Sequence, residues 1–296
     1  MALKGSVAQS NRAFSPSTPH KQQRHIKLLA QYIYAITGIA LDESKMYLIE
    51  NRLGSLLTEA GCNNFSELYY KAKSDPAKVW QRRIVDAITT GETLFFRDTA
   101  PFEMLQHKIL PDLIDRRVKA ARGGPVTLRI WSAACSSGQE IYSIAMVLKE
   151  LLGDFNKYSI RLLGTDISDK AIAAASRGHF SKIEIGRGLP PDKLNKYFEA
   201  VNGDWKIRDE LRALASFRKI NLMEDLSPLG KFDIVFCRNV AIYFNEPDKI
   251  RLFQRISRIL EPDGSLIIGS TESLTTLCPS LESKRHLRSV YYQLKP

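Results

Sequence analysis

Cysteine is scarce and unpatterned in this chain. Cys62, Cys135, Cys237 and Cys278 are its four, with no C-x-x-C and no histidine at metal-ligand spacing. That excludes disulfide frameworks and zinc sites and leaves the free thiols of a reducing cytoplasm. Long apolar runs are missing too. Leu28 to Leu41 and Ile141 to Val147 are the most extended, short of the ~20 residues a membrane helix needs, so no membrane insertion is expected. Met1 to His20 lacks an apolar segment ending in a small-residue cleavage site, which argues against a secretory signal. Acidic charge is absent before Asp42, while Lys4, Arg12, Lys21, Arg24 and Lys27 precede it, so five of the formal +11 charges lie there. Such a basic front suits nucleic acid, an anionic membrane surface or an acidic protein, or is a solvated tail.

What is present is an ordinary globular composition, 44% hydrophobic and 25% charged over 296 residues, enough to bury a core without metal or disulfide staples. Residues 1–20, rich in Ser, Pro, Thr, Asn and Gln, read as a tail. Ile26, Leu29, Ile33 and Ile36, then Met46, Ile49, Leu53, Leu56 and Leu57, recur at helical spacing. With further helices from Ser66 and after Pro76 they form an all-helical unit over 21–97. Asp98-Thr99-Ala100-Pro101 offers capping residues for a linker helix within 98–125, striped by Phe102, Leu105, Ile109 and Leu113.

From Val126 to the C-terminus short apolar strands alternate with amphipathic helices. Strands are expected at Val126 to Trp131, Ser159 to Thr165, Phe232 to Cys237 and Ser265 to Gly269, and helices at Gly138 to Leu152, Ser168 to Arg177 and Glu246 to Leu260. The fold class is therefore α/β, a mostly parallel sheet covered on both faces. Residues 178–220 interrupt the alternation with a short helix, Pro191 to Phe198, and a hairpin signal at Asn202-Gly203, which mark an inserted β-subdomain.

In such sheets ligands bind beyond the carboxyl ends of the strands. The first strand ends in Trp131-Ser132-Ala133-Ala134-Cys135-Ser136-Ser137-Gly138-Gln139-Glu140. One glycine and no lysine there disfavour dinucleotide and phosphate-cradling loops, and with them a nicotinamide oxidoreductase. The second strand ends in Gly164-Thr165-Asp166, where a carboxylate accepts from both ribose hydroxyls or caps the next helix, a task Ser168 can share. A ribose-bearing ligand without phosphates points to S-adenosylmethionine. Past Phe232 to Cys237 comes Arg238-Asn239-Val240-Ala241-Ile242-Tyr243-Phe244, whose Arg and Asn are costly to hide without partners and are therefore expected to open onto a cleft rather than to pack. Tyr243 can hang over the cleft, Phe244 is expected in the core, and Cys237, with no histidine near in sequence, reads as a structural thiol. Upstream, Thr93, the Phe95-Phe96 pair and Arg97 lie in a segment suited to roof the cleft.

These four segments, in this order, resemble the chemotaxis receptor methyltransferases, the CheR family, from about Gln22 to the C-terminus. The resemblance implies a small N-terminal all-α domain and a Rossmann-like class I methyltransferase domain with an inserted β-subdomain. It further implies S-adenosylmethionine as cofactor, S-adenosylhomocysteine as product, and methyl-accepting chemoreceptors as partners, their cytoplasmic-helix glutamates becoming methyl esters. Carried across by residue, Thr93, Arg97, Glu140, Asp166, Asn221, Leu222, Cys237 and Arg238 line the cofactor site, with Arg97 and Tyr243 near the transferred methyl and no metal. A cytoplasmic monomer is expected, without a nucleic-acid partner: the Asn/Asp-Pro-Pro-aromatic loop of amino-methylating nucleic-acid enzymes is replaced by Arg238-Asn239-Val240-Ala241.

Overall fold

The computed structural model describes residues 19–120 and 124–296. The expected tail lies outside them as far as residue 18, and a helix already begins at Pro19.

Four helices make the front of the molecule: α1 (Pro19–Thr37), α2 (Tyr47–Ala60), α3 (Phe65–Lys73) and α4 (Val79–Ile88). Their stripes meet in a core of Leu29, Ile33, Ile49, Leu53, Leu68 and Ile84. Local chemistry sets their ends. Gly61 closes α2 in the left-handed conformation, and the Asn64 side chain caps α3 by accepting from Glu67 N, satisfying a donor that the first turn leaves free.

The next helix is less regular than its stripe predicts. It runs as α5 (Ala100–Met104), a π-helical turn over Leu105–Ile109, and α6 (Leu110–Ala120). Neither Asp98 nor Thr99 caps it with a side chain, contrary to expectation: Asp98 is engaged by Arg238, and Thr99, at the N-cap position, has φ +23° rather than the extended backbone a cap needs.

The remaining elements are β1 (Val126–Ala133), α7 (Gln139–Leu152), β2 (Tyr158–Asp166), α8 (Asp169–Arg177), β3 (His179–Phe180), α9 (Lys182–Gly186), α10 (Pro191–Tyr197), β4 (Phe198–Val201), β5 (Asp204–Ile207), α11 (Asp209–Arg212), β6 (Ala215–Lys219), β7 (Phe232–Cys237), α12 (Glu246–Ile259), β8 (Leu260–Ile268), β9 (Leu281–His286) and β10 (Ser289–Leu294). Seven strands form one sheet in the order β6-β2-β1-β7-β8-β10-β9. The first five are parallel, and β10 and β9 close the edge antiparallel. Every residue of β7 is buried, as befits a central strand covered on both faces. Ile144, Leu148 and Phe236 pack on one face; Trp131, Val235 and Phe253 pack on the other.

The insertion is shorter than 178–220. Ala215–Lys219 pairs with β2 as the edge strand of the main sheet, and its alternation was too exposed to be read as a strand. The inserted sheet is β3-β5-β4, turned at Asn202 and Gly203, both with positive φ, as a two-residue hairpin requires. Phe95 packs edge-on against its Phe180 and Phe198.

Strand order reverses between β1 and β7. The crevice above their carboxyl ends is therefore where a ligand is expected to lie.

Candidate functional site

The loop after β1 is built from small residues bent back on themselves. Ala134, Ser136 and Gly138 all have positive φ, and a Cβ on Gly138 would press on Ala175 and the Tyr142 ring at 3.1 Å. The bend aims Cys135 N at Thr165 O (2.8 Å) and Ser136 N at Asp166 Oδ2 (3.0 Å). Ser168 N donates to the other oxygen, Oδ1, at 3.0 Å. The helix cap is Ser168, whose Oγ accepts from Ala171 N at 3.1 Å. Asp166 is thus held by backbone donors, and each oxygen keeps a lone pair for a donor from the cleft. Burial pushes its pKa up; the backbone hydrogen bonds oppose that, and Asp86 adds to it.

At the end of β7 the chain divides its two polar residues. Arg238 turns inward, its side chain 1% exposed, and bonds Glu140 Oε2 (2.9 Å), Asp98 Oδ2 (2.8 Å) and the Arg97 carbonyl (2.8 Å). Glu140 Oε1 accepts from Ser132 Oγ at 2.7 Å. Asn239, with φ +56°, faces the cleft wall, its N–H donating to Glu272 Oε2 (3.0 Å), which also accepts from Gly269 N (2.7 Å). Arg238 thereby anchors a turn in which Phe96, Asp98 and Thr99 all have positive φ, a conformation non-glycine residues hold only when surroundings enforce it. Phe96 N donates to Ser143 Oγ (3.0 Å) on α7 as a further anchor.

The helical front closes the third side. Ile36 O accepts from Asn221 Nδ2 (3.0 Å), Ala40 N donates to Tyr243 O (2.9 Å), and Asp86 Oδ1 accepts from Ser168 Oγ (2.6 Å). Each of these bonds joins the front to the end of a different strand, β6, β7 or β2. Between them is a cleft of about 500 Å³.

Thr93, Arg97, Glu140, Asp166, Asn221, Leu222, Arg238 and Tyr243 all stand on its walls. Cys237 does not. It is the last residue of β7 and is fully buried, and burial, with Glu272 and Glu140 adding, pushes its thiol well above the usual range, which makes it unsuited to attack at neutral pH. Phe244 is in the core, as expected. Arg97 donates to the Glu92 carbonyl at 3.3 Å and makes no ion pair among the described residues. The Tyr243 hydroxyl has no hydrogen-bond partner among them either.

Asn239, expected to open onto the cleft, stands on its walls. Sequence reasoning did not single out Ser136 or Thr37, Ile39, Ala40 and Leu41, also on the walls, or Glu272 behind Asn239. Residues 37–41 carried no signal, since they reach the cleft only through docking of the helical front.

The donor set suits S-adenosylmethionine. Asp166 offers a seat for two vicinal hydroxyls, and Ile167, Leu222 and Val240 supply apolar walls. The bent loop of small residues admits a ligand close to the backbone. Among the described residues no group of His, Cys, Asp and Glu could hold a metal ion.

Residues 91–288 match the model of the CheR methyltransferase SAM-binding domain, and residues 24–89 match that of the CheR methyltransferase all-alpha domain. The chain is 38% identical over 274 residues to chemotaxis protein methyltransferase 1 of Pseudomonas aeruginosa, covering 91% of this chain and 97% of that protein. It is 39% identical over 264 residues to chemotaxis protein methyltransferase Cher2 of Pseudomonas putida, covering 87% and 93%. It is 38% identical over 268 residues to chemotaxis protein methyltransferase 1 of Vibrio cholerae, covering 90% and 94%.

Proposed function

The chain belongs to the CheR methyltransferase family, an S-adenosylmethionine-dependent methyltransferase, and on that premise we propose that it esterifies glutamate side chains on the cytoplasmic helices of methyl-accepting chemoreceptors, acting in the cytoplasm. S-adenosylmethionine supplies an electrophilic methyl on a sulfonium. The acceptor brings its own charge, because a glutamate carboxyl with a reference pKa of about 4.3 is ionised at neutral pH. No general base is then needed, and the protein's task is placement and exclusion of water.

The observation that carries the reading is Arg97, which lines the same cleft as Asp166 and whose guanidinium makes one long backbone contact, with donors to spare. It orients an incoming carboxylate by charge-assisted hydrogen bonds. Asp166 holds the ribose. Thr93, Glu140, Asn221, Leu222 and Arg238 complete the cofactor's walls, and Tyr243 shapes the passage for the methyl group. Incubation with methyl-labelled cofactor and chemoreceptor, followed by alkali, tests the chemistry: esters release volatile labelled methanol. Label that stays on the protein through alkali would overturn the reading.

Asp166 gives a pH signature. Its raised pKa means that it loses its proton at a higher pH than an ordinary aspartate, and only the ionised form accepts from both hydroxyls without competition. Affinity for S-adenosylhomocysteine should therefore fall as pH is lowered through that raised pKa. Asp166→Ala should weaken binding about a hundredfold, given two hydrogen bonds to a charged acceptor, and Asp166→Asn should flatten the acid limb. Calorimetry showing the wild-type affinity and pH profile in these variants would remove Asp166 from the site.

A further inference from the structure

The β9–β10 hairpin ends in a turn that its sequence does not favour. His286 pairs with Ser289, leaving a two-residue loop of Leu287 and Arg288. Leu287 has φ +52° and is 80% exposed. Such loops take glycine or asparagine at positive φ, because a branched side chain there is strained. A leucine that is strained by its backbone and left in water contributes nothing visible to the fold.

Its neighbours are cationic. From Leu281 to the C-terminus the chain has one acid, Glu282, against Lys284, Arg285, Arg288 and Lys295. Lys284 is paired with Glu282 at 3.0 Å, whereas Arg285 and Arg288 make no ion pair among the described residues. Charge on β9 is accounted for by its place at the sheet's edge, where lysines and arginines deter pairing with other sheets. That need explains neither the leucine nor its strained position.

Topology fixes where this tip points. β10 runs antiparallel to β8, with Tyr292 opposite Leu266, so the Leu287–Arg288 turn projects from the carboxyl edge of the parallel strands, the edge that carries the cleft. The tip lies about two and a half strand spacings from β7, roughly 12 Å at ~4.8 Å per strand.

Resting on the reading of the cleft given above, we propose that this tip is a second contact for the protein substrate: Arg285 and Arg288 take acidic side chains of a segment lying across the sheet's edge, and Leu287 packs on its apolar surface. A helical segment rises 1.5 Å per residue, so the contacted acids lie about eight residues from the glutamate in the cleft. The glutamates proposed as acceptors make such a segment acidic, which complements the tip's charge. The tip has one apolar residue and no aromatic ring, which suits a helix surface better than the stacked bases of a nucleic acid.

The test compares the wild type with Arg285→Glu/Arg288→Glu and with Leu287→Gly, using a soluble cytoplasmic fragment of a chemoreceptor that the wild type binds. The charge reversal should raise KM for the fragment about tenfold with kcat and S-adenosylhomocysteine affinity unchanged, as expected for rim charges, and the difference should shrink in high salt. Leu287→Gly relieves the strain, so it should melt at or above the wild-type temperature and still raise KM severalfold. Variants whose KM and fragment affinity stay within twofold of wild type would overturn the proposal, as would a KM rise in Leu287→Gly that is matched by a fall in melting temperature. A wild type that binds the fragment without methylating it would retire the proposed substrate of the cleft instead, and fragment affinity in the variants would still decide whether the tip docks it.

Discussion

Arg97→Ala should lower kcat for receptor methylation by about two orders of magnitude, the scale that misplacing a reacting group costs, while the melting temperature moves by no more than ~2 °C. The second half follows from the bonding of Arg97. Its side chain gives the fold one 3.3 Å contact, to the Glu92 carbonyl, and no ion pair among the described residues. The first half follows from what a carboxylate needs in order to attack in line. A planar guanidinium offers parallel donors that fix both position and plane, and fixing that geometry supplies much of the rate. The acceptor loses charge as its bond to carbon forms, so a partner that only attracted it would stabilise the ground state too. Arg97→Lys, which keeps the charge and loses the fork, should therefore recover only part of the rate. An alanine variant retaining kcat within about threefold would end the assigned role.

The parallel sheet was legible because β7 is buried on both faces and its run, Phe232 to Cys237, is uninterrupted. The two readings of Asp166 were separable only in three dimensions, where Ser168 takes the helix cap and Asp166 is left facing the cleft. The edge strand Ala215–Lys219 was hidden by its exposure, since an edge strand needs no apolar run. The turn at Phe96, Asp98 and Thr99 was equally hidden, because left-handed backbone in residues other than glycine leaves no compositional trace and is imposed by distant partners. Arg238 is the instructive case. The sequence led us to expect an arginine opening onto the cleft, since one is costly to hide, yet its side chain is only 1% exposed because Glu140 and Asp98 pair with it within the protein. Two arginines close in space are thus used in opposite ways, one consumed by the fold and one left free.

Arg238→Met should damage the fold substantially. The guanidinium neutralises Glu140, whose side chain is 14% exposed, and anchors the Arg97 carbonyl. Removing one member of a buried pair costs about 3–5 kcal/mol because the other charge is left without compensation. Asp98 is 40% exposed and can rehydrate, so the burden falls on Glu140 and the lower half of that range applies, a fall in melting temperature on the order of 6–10 °C. The damage should reach catalysis as well, since the strained turn that carries Arg97 loses its anchor, and kcat should fall further than stability alone explains when assayed well below the melting point. Adding Glu140→Gln removes the uncompensated charge while retaining an acceptor for Ser132 Oγ. The double variant should therefore regain about half of the lost stability and little of the lost kcat, because no group replaces the bond to the Arg97 carbonyl. Melting curves for Arg238→Met within 2 °C of wild type would show that the pairing is not what holds this wall, and equal recovery of kcat and stability in the double variant would show that Arg97 does not depend on it.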